Sequence, residues 1–340
     1  MLGFQLAKTL SSNPAITSIT ILQDDACNDK KEPFCSYATE IPNVQIVKAP
    51  LGDSAMTAAQ MQSVLGNTAF DFVWDNASKG AEGAGKAVVD LSKQWGTKLL
   101  TYVSSAGAYK PDASTQFPMA ETTPVKDSSG QVQYENYAMS QGIPFCAFRP
   151  QYIYGTNANK YDYVDWFLDR LARGLPLPIP GNGEQKVSLT NSEDVAALLA
   201  SVLNNVPAAA QQVIFNCGTD QLLSYNEVAA LCAAAAGLGP TQYSICYYDA
   251  DKFGKGKFPF RPTDFYVAPD MAKAKLGFPG AKNNLKDDLA WYMKLYNARE
   301  GTTRPVDMSE DFKIVSDPVN QPSGFDLSTY NAFLPTEAST

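Results

Sequence analysis

Cations and aromatic rings alternate in the stretch YYDADKFGKGKFPFR, which covers residues 247–261. Four positive charges fall within ten residues and are interleaved with phenylalanines, in the order Lys252, Phe253, Lys255, Lys257, Phe258, Phe260 and Arg261. Basic side chains contact phosphates and exposed rings stack on bases, so this stretch is our predicted RNA-binding segment. The alternative is a surface loop whose rings point into the core and whose lysines keep the loop soluble.

Acidic residues occur as scattered pairs, at Asp24/Asp25, Glu193/Asp194, Asp249/Asp251 and Asp287/Asp288. Clustered carboxylates can hold Mg²⁺, but none of these pairs has a diagnostic spacing, so the sequence nominates no metal ligand. The chain has no histidine. Histidine-based catalytic triads and histidine-ligated zinc sites are therefore excluded.

The overall composition is that of an ordinary globular protein, with 340 residues, 45% hydrophobic and 18% charged. Its net charge of −8 argues against a whole-surface attraction to nucleic acid, so such binding would need a local patch. The six cysteines form no CxxC pair, which predicts free thiols in a reducing compartment. No apolar run approaches the ~20 residues of a membrane span.

Short β-rich runs alternate with helical stretches over the first 150 residues. The predicted strands lie at 18–22, 44–47, 70–74, 98–103 and 144–149, with helices at 3–10, 54–65 and 83–95. This alternation predicts an α/β fold with a Rossmann-like, doubly wound parallel sheet. From residue 299 onward there is no sustained periodicity, which predicts an extended tail.

Several segments resemble the extended short-chain dehydrogenase/reductase family of NAD-dependent epimerases and dehydratases. They are GFQLAKTL (3–10), which resembles the helix after the family's glycine-rich turn, together with YVSSAGAY (102–109), FRPQYIYG (148–155) and PIPGNG (178–183). The set is more similar still to one branch, the chloroplast stem-loop-binding family of plastid RNA-binding proteins. That likeness also uses IFNCGTD (214–220), LCAAAAG (231–237), FPFR (258–261) and FYVAP (265–269).

The resemblance implies a catalytic serine at Ser105 and a Tyr-x-x-x-Lys pair on the following helix, in which the lysine makes the tyrosine acidic. Aligning the helix through FRPQYIYG places Val132 at the tyrosine position and Asn136 at the lysine position. A tyrosine without that lysine stays near its solution pKa of ~10 and is a poor acid at neutral pH. We therefore expect no active oxidoreductase, with Ser105 a vestige.

The resemblance also implies NAD(P) as a cofactor, and the matching positions are Gly3, Asp24, Asp75, Asn76, Ser104 and Pro150. Gly3 corresponds to the last glycine of a dinucleotide turn, and Asp24 lies 21 residues further on, at the position of a ribose-binding acid. The alternatives are a solvated loop at Asp24 and a turn at Asp75 and Asn76. The first strand and most of the glycine-rich turn are absent from this sequence, so we expect further residues upstream.

These observations predict a Rossmann-like domain over 1–155, completed by about 186–220. A smaller C-terminal α/β lobe takes 156–185 and 221–300, and 301–340 forms the extended tail. By resemblance, the chain is a chloroplast protein that binds structured RNA or ribonucleoprotein, with a weak endoribonuclease activity that would need a divalent metal. Two alternatives stay open: an accessory subunit that its tail attaches to a large organellar complex, and, less favoured, an active nucleotide-sugar enzyme.

Overall fold

The computed structural model describes residues 1–42, 44–158 and 163–335. The strands in these ranges are β1 (Ile19–Asp24), β2 (Val44–Ala49), β3 (Phe72–Asp75), β4 (Leu99–Val103), β5 (Phe145–Pro150), β6 (Ile153–Tyr154), β7 (Leu177–Pro180), β8 (Lys186–Val187), β9 (Thr190–Asn191), β10 (Gln211–Cys217), β11 (Leu223–Ser224) and β12 (Ile245–Tyr248). The five strands predicted in the first 150 residues are all present, with ends shifted by one or two residues.

Helices separate most of these strands. They are α1 (Leu2–Ser11), α2 (Tyr37–Glu40), α3 (Ala58–Val64), α4 (Gly83–Trp95), α5 (Gly130–Ser140), α6 (Val164–Leu171), α7 (Ser192–Ala200), α8 (Val206–Ala209), α9 (Tyr225–Ala235), α10 (Ala250–Phe253), α11 (Asp270–Leu276), α12 (Leu285–Ala298) and α13 (Ser309–Val315). The described chain divides into two compact units, the first made of Met1–Asn159, Thr190–Asp220 and Val267–Lys282 and the second of Lys160–Leu189, Gln221–Tyr266 and Asn283–Thr340.

The first unit contains a four-stranded parallel sheet in the order β10-β5-β4-β3. Its central strand β5 is buried along its whole length, as expected for a parallel sheet covered on both faces. Strands β1 and β2 form a separate parallel pair. In the described residues, β1 pairs with β2 alone and β3 pairs with β4 alone.

Helix α1 is held by an apolar stripe with helical spacing. Leu2, Leu6 and Leu10 recur every four residues, lie on one face, and are buried against Val195 and Leu199 of α7. Phe4 and Ala7 lie in a second cluster with Tyr37 and Ile41. Since both sides of α1 are covered, the position of its first turn is fixed.

The second unit shows that the expectation of an extended tail is wrong. Helix α13 and a 3-10 turn at Leu327–Ala332 follow residue 301, and Met308, Ile314 and Tyr330 are buried in one cluster with Cys246 and Tyr248 of β12. Asp311 in α13 forms a buried ion pair with Arg170 of α6, 2.6 Å long. Residues 301–335 thus pack as part of this unit and are not extended, while attachment to a complex through them stays a prediction.

Candidate functional site

The carboxyl ends of β3, β4 and β5 meet at one edge of the four-stranded sheet. Three predicted cofactor residues lie there: Asp75 ends β3, Ser104 follows β4, and Pro150 ends β5. Ligands of open parallel sheets bind outside this edge, because the loops that follow the strands converge on it. The structure therefore brings these three positions to the expected end of the sheet.

Gly3 and Asn76 are in close contact. A Cβ atom at Gly3 would lie 3.0 Å from Nδ2 of Asn76 and 3.4 Å from the hydroxyl of Tyr37. A larger residue at position 3 would have to displace the loop that follows β3. Glycine here lets the first turn of α1 approach that loop, as in nucleotide-binding turns.

Asp75 shapes the loop that carries Asn76. Its buried carboxylate accepts hydrogen bonds through Oδ1 from the N–H groups of Ala77, at 3.1 Å, and Ser78, at 3.0 Å. These contacts form a local turn of the kind that Asp favours. The turn alternative for Asp75 thus agrees with the hydrogen bonds.

Two glycines hold the far end of this loop. A Cβ atom on Gly85 would lie 2.1 Å from the carbonyl oxygen of Gly80, and one on Gly130 would lie 2.1 Å from that of Lys79. Real Cβ atoms do not approach a backbone oxygen so closely. The loop is therefore wedged between the starts of α4 and α5, a constraint that the sequence analysis missed although both glycines are visible in the sequence.

Asp24 lies in the separate β1–β2 pair. Its carboxylate caps the turn after β1 by accepting from the N–H of Ala26 at 3.0 Å. The preceding Gln23 is buried and donates to Asp29 at 2.9 Å. These contacts agree with the loop alternative for Asp24.

A buried ionic network lies between β4, α5 and β5. Arg149 donates from Nη2 to Oε2 of Glu135 at 2.6 Å and from Nε to Oε1 at 3.1 Å, and Ser104 donates to Oε1 at 2.6 Å. Bidentate arginine–carboxylate pairs are strong and geometrically specific. Ser104 therefore supports Glu135 in this structure. The sequence analysis missed this pair; its only local signal is the charged Arg149 within the buried strand β5.

Ser105 has a structural partner. Its side-chain oxygen accepts from the N–H of Gly107 at 3.0 Å and caps the 3-10 turn Ala106–Ala108. On α5, Val132 is buried and apolar, whereas Asn136 is exposed. Neither residue can exchange a proton at neutral pH, so the described arrangement lacks the pair that would transfer one.

Tyr134, on the same helix, does not replace the acid that the resemblance implies. The ring of Tyr134 stacks on Tyr102 with centroids 3.8 Å apart. Burial raises the pKa of Tyr134 well above its usual value of 10.0, with nearby Asp75 adding to the effect. A hydroxyl held protonated in this way is a poor acid–base catalyst.

NAD(P) is the cofactor that the fold implies, and the residues present suit its phosphate-containing half but not its nicotinamide half. The close approach at Gly3 and the absence of acidic residues in the first turn of α1 suit a phosphate at the helix start. Val132 and Asn136 do not suit the nicotinamide half, because hydride transfer there needs a proton donor and a cation beside it. The site fits nucleotide binding better than nicotinamide chemistry.

The predicted RNA-binding segment lies in the second unit. Lys252, Lys255 and Lys257 are exposed, and Lys252 pairs with Asp317 at 2.6 Å. The guanidinium of Arg261 lies 3.7 Å from the ring centroid of Phe265. The ammonium of Lys252 lies 4.9 Å from the ring of Phe253, which is half-buried. The segment therefore presents cations on the surface of this unit.

Phe258 does not face solvent, so its interpretation as a base-stacking ring is wrong. Phe258 is 2% exposed and Phe260 is 0% exposed. Both belong to an aromatic cluster with Trp166, Phe167 and Tyr225. Burial of these large rings stabilises the lobe and removes them from contact with any ligand.

Within the described ranges, no group of three or more cysteine, aspartate or glutamate side chains could hold a metal ion. No helix in the same ranges is long and apolar enough to cross a bilayer.

Comparisons with known proteins agree with this fold. The model of the NAD dependent epimerase/dehydratase family matches residues 79–218. UDP-glucose 4-epimerase from Thermotoga maritima is 17% identical, with a TM-score of 0.66 over 88% of this chain and 96% of that one. dTDP-glucose 4,6-dehydratase from Bacillus anthracis, solved with NAD, is 14% identical, with a TM-score of 0.68 over 88% and 94%. At these identities the structures show the fold alone.

A curated relative is more similar in sequence. The chloroplast stem-loop binding protein of 41 kDa b from Arabidopsis thaliana is 31% identical over 222 residues, 64% of this chain. The match spans 57% of that relative's length. The name of the relative describes it as chloroplastic, in agreement with the plastid location predicted for this chain. The Rossmann-like α/β fold is confirmed, and so is the resemblance of this chain to the chloroplast stem-loop-binding branch of the epimerase/dehydratase family.

Proposed function

We propose that this chain is a plastid RNA-binding protein of the stem-loop-binding type, which does not carry out hydride transfer. The observation that carries the proposal is the surface cation segment Lys252–Arg261 in a chain whose net charge is −8. The name of the curated relative supports it, because that protein is described as stem-loop binding. Val132 and Asn136 support the second part of the proposal.

The buried rings define the mode of binding. Phe258 and Phe260 are unavailable for stacking and Phe253 is half-buried, so we expect this segment to contact RNA mainly through its cations and the phosphates. Phosphate contacts read the shape of an A-form helix and carry little sequence information. We therefore expect preference for a hairpin stem over a single strand, and a steep dependence on salt.

A charge-reversal experiment tests this function. Lys252→Glu, Lys255→Glu and Lys257→Glu are combined in one variant, and Lys30→Glu, Lys31→Glu and Lys93→Glu form the matched control in the first unit. Binding to an RNA hairpin is measured by fluorescence anisotropy over a range of salt concentrations. Each lost phosphate contact should lower the slope of log affinity against log salt by about 0.7–0.9. Equal binding by the two variants would contradict the assignment of the segment.

The weak endoribonuclease activity belongs to the same proposal, but has no metal ligands assigned to it. The assay is incubation of the hairpin with Mg²⁺ or with a chelator, followed by gel analysis. Cleavage that requires Mg²⁺ and persists through successive purification steps would support the activity. Association with a large organellar complex stays a prediction.

A further inference from the structure

The C-terminal part of the second unit lies directly against the cation segment. The ammonium of Lys252 is 2.6 Å from Oδ2 of Asp317, which follows α13. A Cβ atom at Gly256 would lie 3.3 Å from Cδ1 of Ile314, a residue of α13. Phe253 packs in the same apolar cluster as Ile314. Polar and apolar contacts thus hold the two segments together.

This covering segment is acidic. Residues 305–317 contain four carboxylates against one lysine, at Asp307, Glu310, Asp311, Asp317 and Lys313. Asp311 is used in its buried pair with Arg170. Asp317 pairs directly with Lys252, and the hydrogen bond from Lys252 lowers the pKa of Asp317. The pKa of Asp307 is lowered chiefly by Ser309, with a smaller contribution from the charge of Lys257.

A buried ion pair fixes the position of the acidic segment. Arg170 donates to both carboxylate oxygens of Asp311, at 2.6 Å and 3.0 Å, and both side chains are buried. Met308 and Val315 add buried apolar contacts on either side of Asp311. Asp307 and Asp317 are therefore held in place by the fold itself.

We propose that the C-terminal acidic segment is an autoinhibitory element, in which Asp317 competes with RNA phosphates for Lys252 and Asp307 adds negative charge to the same segment. The inference rests on the proposed RNA-binding function and adds its regulation. A phosphate that contacts Lys252 must displace the carboxylate of Asp317. Breaking this ion pair costs free energy, which reduces the net affinity of Lys252 for the phosphate. The exposure of Lys252, 59% of its side chain, leaves room for that exchange.

The test is removal of the competing charges with little change in shape. Asp317→Asn keeps the side-chain oxygen that accepts from the N–H of Val319, and Asp307→Asn keeps the one that accepts from Ser309. Glu310→Gln is the matched control, because Glu310 lies on the same helix but pairs with Lys313. Circular dichroism checks folding, and Asp317→Asn alone serves if the double variant unfolds.

The probe is an RNA hairpin, measured by anisotropy at several salt concentrations. Asp317→Asn should raise affinity about two- to fivefold, the range expected for an exposed ion pair, and should steepen the salt slope. Adding Lys252→Gln to Asp317→Asn should abolish this gain in affinity. Glu310→Gln should give a smaller gain in affinity, and adding Lys252→Gln should leave that smaller gain unchanged.

The outcomes separate this inference from the function on which it rests. If the wild-type protein binds the hairpin and Asp317→Asn behaves like Glu310→Gln, autoinhibition is wrong and the function stands. If none of the proteins binds, both proposals are wrong. If binding is measurable after Asp317→Asn and absent in the wild type, both are supported.

Discussion

Arg149 and Glu135 form a bidentate ion pair that is almost completely buried, with side chains 5% and 3% exposed. Glu135 directly precedes Asn136, the position that the resemblance assigns to the lysine of a family enzyme. The same stretch of α5 thus serves the stability of the fold.

The first prediction concerns this pair. Glu135→Gln should lower the free energy of unfolding by about 3–5 kcal/mol, because it leaves the charge of Arg149 buried without compensation. Urea denaturation followed by circular dichroism measures the loss. Asp71→Asn is the control, since Asp71 pairs with Lys98 on the surface and should have little effect. A similar midpoint for the two variants would refute a stabilising role of the pair.

The second prediction concerns the C-terminal segment. Asp311→Asn should also cost about 3–5 kcal/mol of folding free energy, because Arg170 would lose its buried partner. Deletion of residues 301–340 should go further and expose the cluster around Tyr248, giving an insoluble protein or one that binds a hydrophobic dye. A soluble deletion variant with an unchanged melting temperature would show that the segment is dispensable.

The third prediction concerns thiol reactivity. Cys35 is exposed and Cys27 half-buried, whereas Cys146, Cys217, Cys232 and Cys246 are buried. Burial raises the pKa of Cys146 and of Cys246 to about 12, so these thiols carry almost no thiolate at neutral pH.

A disulfide-exchange reagent should therefore label Cys35 first, Cys27 more slowly, and the other four after denaturation. Glu32 raises the pKa of Cys35, so the labelling rate should increase as the pH rises through and above 9. Cys35→Ser should remove the fast phase, and rapid labelling of four or more thiols in the native protein would argue against this arrangement.

The fourth prediction concerns the cofactor. With NAD(P) and nucleotide sugars, neither the wild type nor Ser105→Ala should change the nicotinamide absorbance, because Val132 and Asn136 supply no proton transfer. A melting-temperature shift with NAD(P) alone would report nucleotide binding separately from catalysis. Turnover by the wild type that Ser105→Ala abolishes would restore the enzyme hypothesis.

The sheet could be predicted from the sequence because its signal is local. Each strand of the first unit is a short run such as KLLTYV, bounded by turn residues, and β/α alternation leaves few arrangements. The positions Asp75, Ser104 and Pro150 came from the family resemblance, and the structure places them at the carboxyl ends of β3, β4 and β5. Their hydrogen-bond partners could not be predicted, because Glu135 and Ala77 are ordinary residues whose roles depend on packing.

The misjudged regions share a different cause. Phe258 was predicted to be exposed because it lies among lysines. In an irregular segment, however, the sequence has no periodicity that indicates which side chains are buried. Residues 301–335 lacked periodicity because their helices are short and their stabilising contacts are distant. Arg170 and Asp311 are an example: they lie 141 residues apart in the sequence, so no local sequence pattern predicts their contact.

The long span between Arg170 and Asp311 also bears on synthesis. A ribosome makes Asp165, Asp169 and Arg170 well before Arg299, Arg304 and Asp311, the residues that neutralise them in the folded second unit. While translation proceeds, α6 has to keep those charges hydrated, so its docking waits until Arg299, Arg304 and Asp311 have emerged. Chains that stall in this interval should be targets for chaperones and proteases, although the first 150 residues, rich in local β/α units, have already had time to collapse.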